Sequence, residues 1–111
     1  MATQTQLGEF EQIVLLAILR LKDDAYGGSI WTEIAECTDR EPAAGALYTA
    51  LDRLEGKGLV VSHYGDATPQ RGGRPKRYFK VTKQGIEGVA RAQRSYQRLL
   101  RGVALPGVTH A

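Results

Sequence analysis

Near the start of the chain, Leu7, Phe10, Val14, Ala17, Ile18 and Leu21 recur at spacings of three and four, while Ile13, Leu15, Leu16 and Leu19 fill the remaining faces. This pattern predicts a helix over 7–21, and a helix apolar on nearly every side must be covered on nearly every side. Lys22, Asp23 and Asp24 then read as a turn. A second helix over 26–37 sets Ile30, Ile34 and Cys37 at i, i+4 and i+7 as its inward stripe. Residues 38–42 form the next turn, because Pro42 fits the entry to a helix and not its interior. The third helix, 43–57, buries Leu47, Leu51 and Leu54 and leaves Gly45, Tyr48, Thr49, Asp52 and Arg53 on its other faces.

Gly56 and Gly58 bracket the stop of that helix, and 59–64 reads as a strand. A polar stretch rich in Gly and Pro runs to Pro75, and KRYFKV, 76–81, reads as a second strand. The predicted fold class is therefore mainly α with a small β-hairpin. Three helices, a tight turn between the second and third, and then a hairpin is the order of a winged helix-turn-helix. In that architecture the third helix enters the major groove of DNA and the hairpin flanks it as the wing.

Thr82 can cap the last helix, which runs to about residue 101. Ile86, Val89, Gln93, Tyr96, Leu100 and Val103 make a heptad seam on it. So narrow a seam packs either on its own domain or across a homodimer. Surplus apolar surface on the first helix favours the dimer, with Leu7, Phe10 and Val14 as that helix's contribution. The expected organisation is a DNA-binding domain at 1–81, a C-terminal dimerisation helix at 82–104 and a disordered tail at 105–111.

With 111 residues the chain holds one core, and its 42% hydrophobic and 24% charged residues are those of an ordinary globular protein. Its longest apolar run, 13–19, falls far short of the roughly 20 residues that a membrane span needs, so a cytoplasmic protein with no membrane partner is expected. Cys37 is the single cysteine, and with only His63 and His110 beside it the chain offers neither a disulfide nor a metal site. Cys37 is expected to be buried or half-buried in its helix, with a redox sensor as the alternative. Ser29, Ser62 and Ser95 lack an evident base, and Asp23 and Asp24 sit in a turn where solvated acids are common. Neither an enzyme nor a cofactor is expected.

Charge changes the picture more than composition does. Residues 1–70 carry five basic and eleven acidic side chains, whereas 71–111 carry ten basic and one acidic. Such polarity favours oriented binding of a polyanion. The segment RGGRPKRYFKVTK, 71–83, has six basic residues and no acid. Gly73 and its neighbour let backbone approach a phosphate, while Arg71, Arg74, Lys76 and Arg77 neutralise phosphates or enter a narrow minor groove. A competing class is a winged helix used as a protein-protein interaction module, with the basic face docking an acidic partner.

LGEFEQIVLLAIL, DDAYGGSI, GALYTALDRLEGKGLV, RGGRPKRYFKVT and TKQG, in this order and spacing, resemble the PadR family of bacterial transcriptional regulators, over about 7–100. The resemblance implies a winged-helix region and a short C-terminal helix that swaps against the partner's first helix in a twofold dimer. It also implies repression of a nearby operon. It places Tyr48 and Thr49 on the recognition helix at double-stranded DNA, Tyr26 nearby, and Arg71, Arg74, Lys76 and Arg77 at phosphates or in the minor groove. A single last helix resembles the compact branch of the family, whose members respond to drugs or small aromatic acids between the subunits or have no known ligand. Base readout is expected from Thr49 and Tyr48, with Gly45 or Ala46 backbone against thymine methyls. Trp31 stands where the family is usually polar, and reads as a partly buried tryptophan, a DNA contact or a ligand-facing aromatic.

Overall fold

The computed structural model describes residues 6–65 and 75–107. Arg71, Gly73 and Arg74 of the expected wing, and residues 108–111 of the expected tail, lie outside them. Helix α1 (Glu9–Leu21) passes through a short 3-10 turn (Lys22–Asp24) into α2 (Gly27–Cys37) and α3 (Ala44–Gly56). Strands β1 (Val60–Tyr64) and β2 (Arg77–Val81) follow, and then α4 (Lys83–Leu100).

Helix α1 is the hub of the packing. Val14, Leu15, Ala17 and Ile18 are buried on it, against Ile30 and Ile34 of α2, Leu47, Leu51 and Leu54 of α3, and Phe79 and Val81 of β2. Leu7, Phe10 and Ile13 pack around this cluster half-buried. Only Leu16 and Leu19 of α1's large apolar side chains stay exposed. The expected assignment of Val14 to a dimer surface needs correction, because its own chain buries it completely. Cys37 is the second correction: it is exposed. Periodicity keeps it on the side of Ile34, but it is the last residue of α2 and borders a shallow groove between α1 and α2 that no described residue fills.

Turn chemistry closes each element. Gly58 takes a φ of 77°, a left-handed conformation that ends α3 while the Leu59 amide bonds back to the Leu54 carbonyl at 2.9 Å. Trp31 is half-buried and donates its indole N–H to the Pro42 carbonyl at 2.7 Å, which ties α2 to the turn before α3. The strands pair antiparallel from Val60 opposite Val81 to Tyr64 opposite Arg77. A third extended stretch joins them: Tyr26 bridges to Tyr78, and the Phe79 amide donates to the Ala25 carbonyl at 2.8 Å.

Thr82 caps α4, its hydroxyl accepting from the Gly85 amide at 3.1 Å. The first two turns of α4 lie hard against the hairpin root. A Cβ on buried Gly85 would stand 2.3 Å from the Leu59 carbonyl oxygen and 2.6 Å from a Val81 methyl. Val89 is buried there too, whereas Gln93 and Tyr96 project outward, and from 93 to 99 every α4 side chain is exposed. The seam is therefore divided: Val89 belongs to its own core, and Ile86, Tyr96 and Val103 remain exposed.

Gly85→Ala is expected to destabilise the protein by roughly 2 kcal/mol in thermal unfolding, because no rotamer relieves a clash between Cβ and a backbone carbonyl. That loss outweighs the roughly 1 kcal/mol by which alanine ordinarily favours a helix over glycine.

Candidate nucleic-acid interface

Helix α3 divides cleanly. Leu47, Ala50, Leu51 and Leu54 face the core, and Gly45, Tyr48, Thr49, Asp52 and Arg53 are all exposed on the opposite side. A side chain added at Gly45 would meet nothing within 4 Å, so this part of the helix backbone is open to a close-approaching partner.

Tyr48 is 47% exposed but not free-standing. Its hydroxyl lies over Gly27, where a Cβ would be 2.2 Å from it. Glycine at the first position of α2 thus lets the α3 tyrosine cross to α2, and this contact joins the two helices of the helix-turn-helix on their exposed side. The neighbouring Tyr26 continues the surface toward the hairpin. Lys76 Nζ stands 3.5 Å above the Tyr26 ring centroid, within cation-π range. Tyr26 meets Tyr78 edge-on at 5.8 Å, and Tyr78 stacks on His63 at 5.8 Å. Gly65 leaves room for the Tyr78 ring, 2.7 Å from where its Cβ would be.

Tyr26, Tyr48 and Lys76 are thereby brought into one continuous surface with Gly45, Thr49 and Arg53 of α3. Tyr78 and His63 were not anticipated from sequence. Their signal was the pairing of two strands, which puts His63 directly opposite Tyr78 on one face of the hairpin. Arg77, expected beside a phosphate, has partners within the protein. Its Nη2 is 2.5 Å from Glu55 Oε1 on α3, its Nη1 is 3.8 Å from Asp52, and its Nε donates to the Ser62 hydroxyl at 3.2 Å.

On the far side of the molecule, the Cys37 thiol contacts Glu33 at 3.4 Å. That hydrogen bond to a carboxylate, with some desolvation, holds its pKa above the usual thiol range, so it stays protonated near neutral pH. Among the described residues no group of His, Cys, Asp or Glu is arranged to hold a metal ion, and no helix is long and apolar enough to cross a membrane.

The transcriptional regulator PadR-like family matches residues 15–91, from the middle of α1 into α4. The chain belongs to the PadR-like family. A PadR family transcription regulator from Clostridium difficile superposes with a TM-score of 0.68 at 26% identity, covering 83% of this chain and 92% of that one. A PadR family transcriptional regulator from Eggerthella lenta gives 0.66 at 26% identity, over 86% of this chain and 82% of that one. An uncharacterised protein of Lysinibacillus sphaericus is 32% identical over 80 residues, which are 70% of this chain and 69% of that protein. The winged-helix architecture and a role in transcription regulation through DNA binding are thus those of PadR-like regulators.

For a PadR-like regulator the Tyr48 contact has a measurable consequence. Gly27→Ala is expected to displace the Tyr48 ring and weaken duplex DNA binding about as much as Tyr48→Ala does. The double variant should bind no more weakly than either single one, because the two changes remove the same interaction. Thermal unfolding of Gly27→Ala should change little, because a half-exposed tyrosine can swing away.

Proposed function

We propose that this PadR-like chain is a repressor that binds a pseudo-palindromic operator as a homodimer. One observation carries the reading: the exposed face of α3, the Tyr48 contact to α2 and Lys76 over Tyr26 form a single surface, while large apolar side chains on α1 and α4 stay exposed. The exposed large apolar side chains outside that surface include Leu16 and Leu19 on α1 and Ile86, Tyr96 and Leu99 on α4, with Leu99 77% exposed. Exposed apolar side chains of this size favour association of two copies.

In the dimer, two α3 helices would enter successive major grooves roughly 34 Å apart, one helical turn of DNA. Thr49 and Tyr48 would read base edges, and Arg53, Lys76 and the wing residues Arg71, Arg74 and Gly73 would meet phosphates. Backbone at Gly45 would pack against the groove floor. The half-site spacing then depends on how the α1 and α4 surfaces meet. A small aromatic or drug-like molecule between the subunits would release DNA by binding one dimer geometry better than the other. The protein works inside the cytoplasm in this reading, where DNA is accessible.

Selection of bound duplexes from a random pool is expected to recover inverted half-sites about one helical turn apart; recovery of unpaired single sites would overturn the dimeric reading. Tyr96→Asp should yield monomers by light scattering and weaken operator binding, because it puts a charge on the exposed α4 face. A Tyr96→Asp protein that stays dimeric would show that α4 is not the contact.

A further inference from the structure

Two carboxylates, Asp52 and Glu55, sit on α3, the helix whose exposed face meets a polyanion in the reading above. Left bare, they would repel phosphate oxygens. The structure answers both with one side chain from the wing. Arg77 Nη2 bonds Glu55 Oε1 at 2.5 Å and its Nη1 stands 3.8 Å from Asp52 Oδ1. The second Glu55 oxygen accepts from the Ser62 hydroxyl at 2.6 Å, and the same hydroxyl accepts from Arg77 Nε at 3.2 Å. The Arg77 guanidinium also lies 5.0 Å from the centroid of the buried Phe79 ring. Residues from α3, β1 and β2 therefore share one polar knot at the point where wing and recognition helix diverge. A guanidinium suits this place because its planar fork can serve several oxygens at once in a fixed geometry.

We infer that Arg77 is a positioning residue and not a phosphate ligand: through Glu55 it sets the angle between the wing and α3, and it screens the α3 carboxylates from DNA. The inference rests on the DNA-binding reading. It also divides the basic segment by role. Lys76, whose ammonium lies over Tyr26, remains on the side facing DNA, whereas the next residue is turned back into the protein.

The test measures affinity of the full chain for a selected duplex of about 30 base pairs, long enough for two half-sites, across a series of salt concentrations. Glu55→Gln is the decisive variant, because it removes a negative charge beside DNA. Electrostatics alone predicts tighter binding, whereas loss of the Arg77 anchor predicts binding weakened about fivefold. Arg77→Ala should weaken binding with the slope of log affinity against log salt unchanged, and Lys76→Ala should reduce that slope by about 0.9 for each duplex phosphate that the lysine neutralises. Arg77→Ala combined with Glu55→Gln should bind no worse than Arg77→Ala alone. Tighter or unchanged binding by Glu55→Gln overturns the inference, as does a slope in Arg77→Ala reduced as much as in Lys76→Ala. If Arg77→Ala fails to fold, Glu55→Gln still decides by its sign. Failure of the unsubstituted chain to bind any selected duplex refutes instead the DNA-binding reading, and the inference with it.

Discussion

Val14, Leu15 and Ile18 of α1 give up essentially all contact with solvent, and they do so against α2, α3 and the hairpin at once. Because one helix serves as the common floor, the angle between α2 and α3 is set by side-chain packing and not by the short connection between them. Leu47, Leu51 and Leu54 dock α3 on that floor, and the opposite face of the helix is thereby presented outward. Close packing makes this stiff: a core filled to crystal-like density has few ways to let α3 roll. What the protein displays on its surface is thus a consequence of what α1 buries.

The hairpin is fastened to this frame at several separate places. At one side the Ala25 carbonyl and Tyr26 extend it by a third, very short stretch, so the start of α2 and the wing move together. At its root, Gly85 admits the first turn of α4 onto the Leu59 carbonyl. Between the two, Arg77 links β2 to Glu55 and Asp52 of α3. Backbone hydrogen bonds, a glycine-permitted close approach and a charge-assisted pair are physically independent, and together they hold the wing relative to α3. Preorganisation of this sort reduces the ordering cost that a ligand would otherwise meet on binding.

Function divides along the same lines. In the proposed reading the surface formed by α3, Tyr26 and Lys76 meets nucleic acid, and the exposed apolar side chains of α1 and α4 meet another copy. The two are connected through α1, whose buried side supports α3 and whose Leu16 and Leu19 are exposed. In the proposed dimer, a change in how two copies meet would reach α3 through this one element.

Element order, the glycine stop after α3, the Thr82 cap and the apolar stripes of Leu47, Leu51 and Leu54 could all be read in the sequence, because each depends on residues within a few positions of one another. Tyr26 and Tyr48 were expected at the site through family resemblance, although nothing local indicates that Tyr48 leans on Gly27, 21 positions away. Arg77 was legible as basic but its pairing with Glu55 and Asp52 was not, because a run of like charges says nothing about which member meets a carboxylate of the same chain. Cys37 was misplaced for a related reason: periodicity reports the side of a helix and not whether any element covers its end. The sequence by itself determined the elements, their boundaries and the sign of the charge on each part of the chain, since propensity, capping and hydrophobic period are local. Only the tertiary structure decided that Arg77 is held by the α3 carboxylates while Lys76 lies over the Tyr26 ring, because that depends on strand register and helix packing bringing residues distant in sequence within reach of one another.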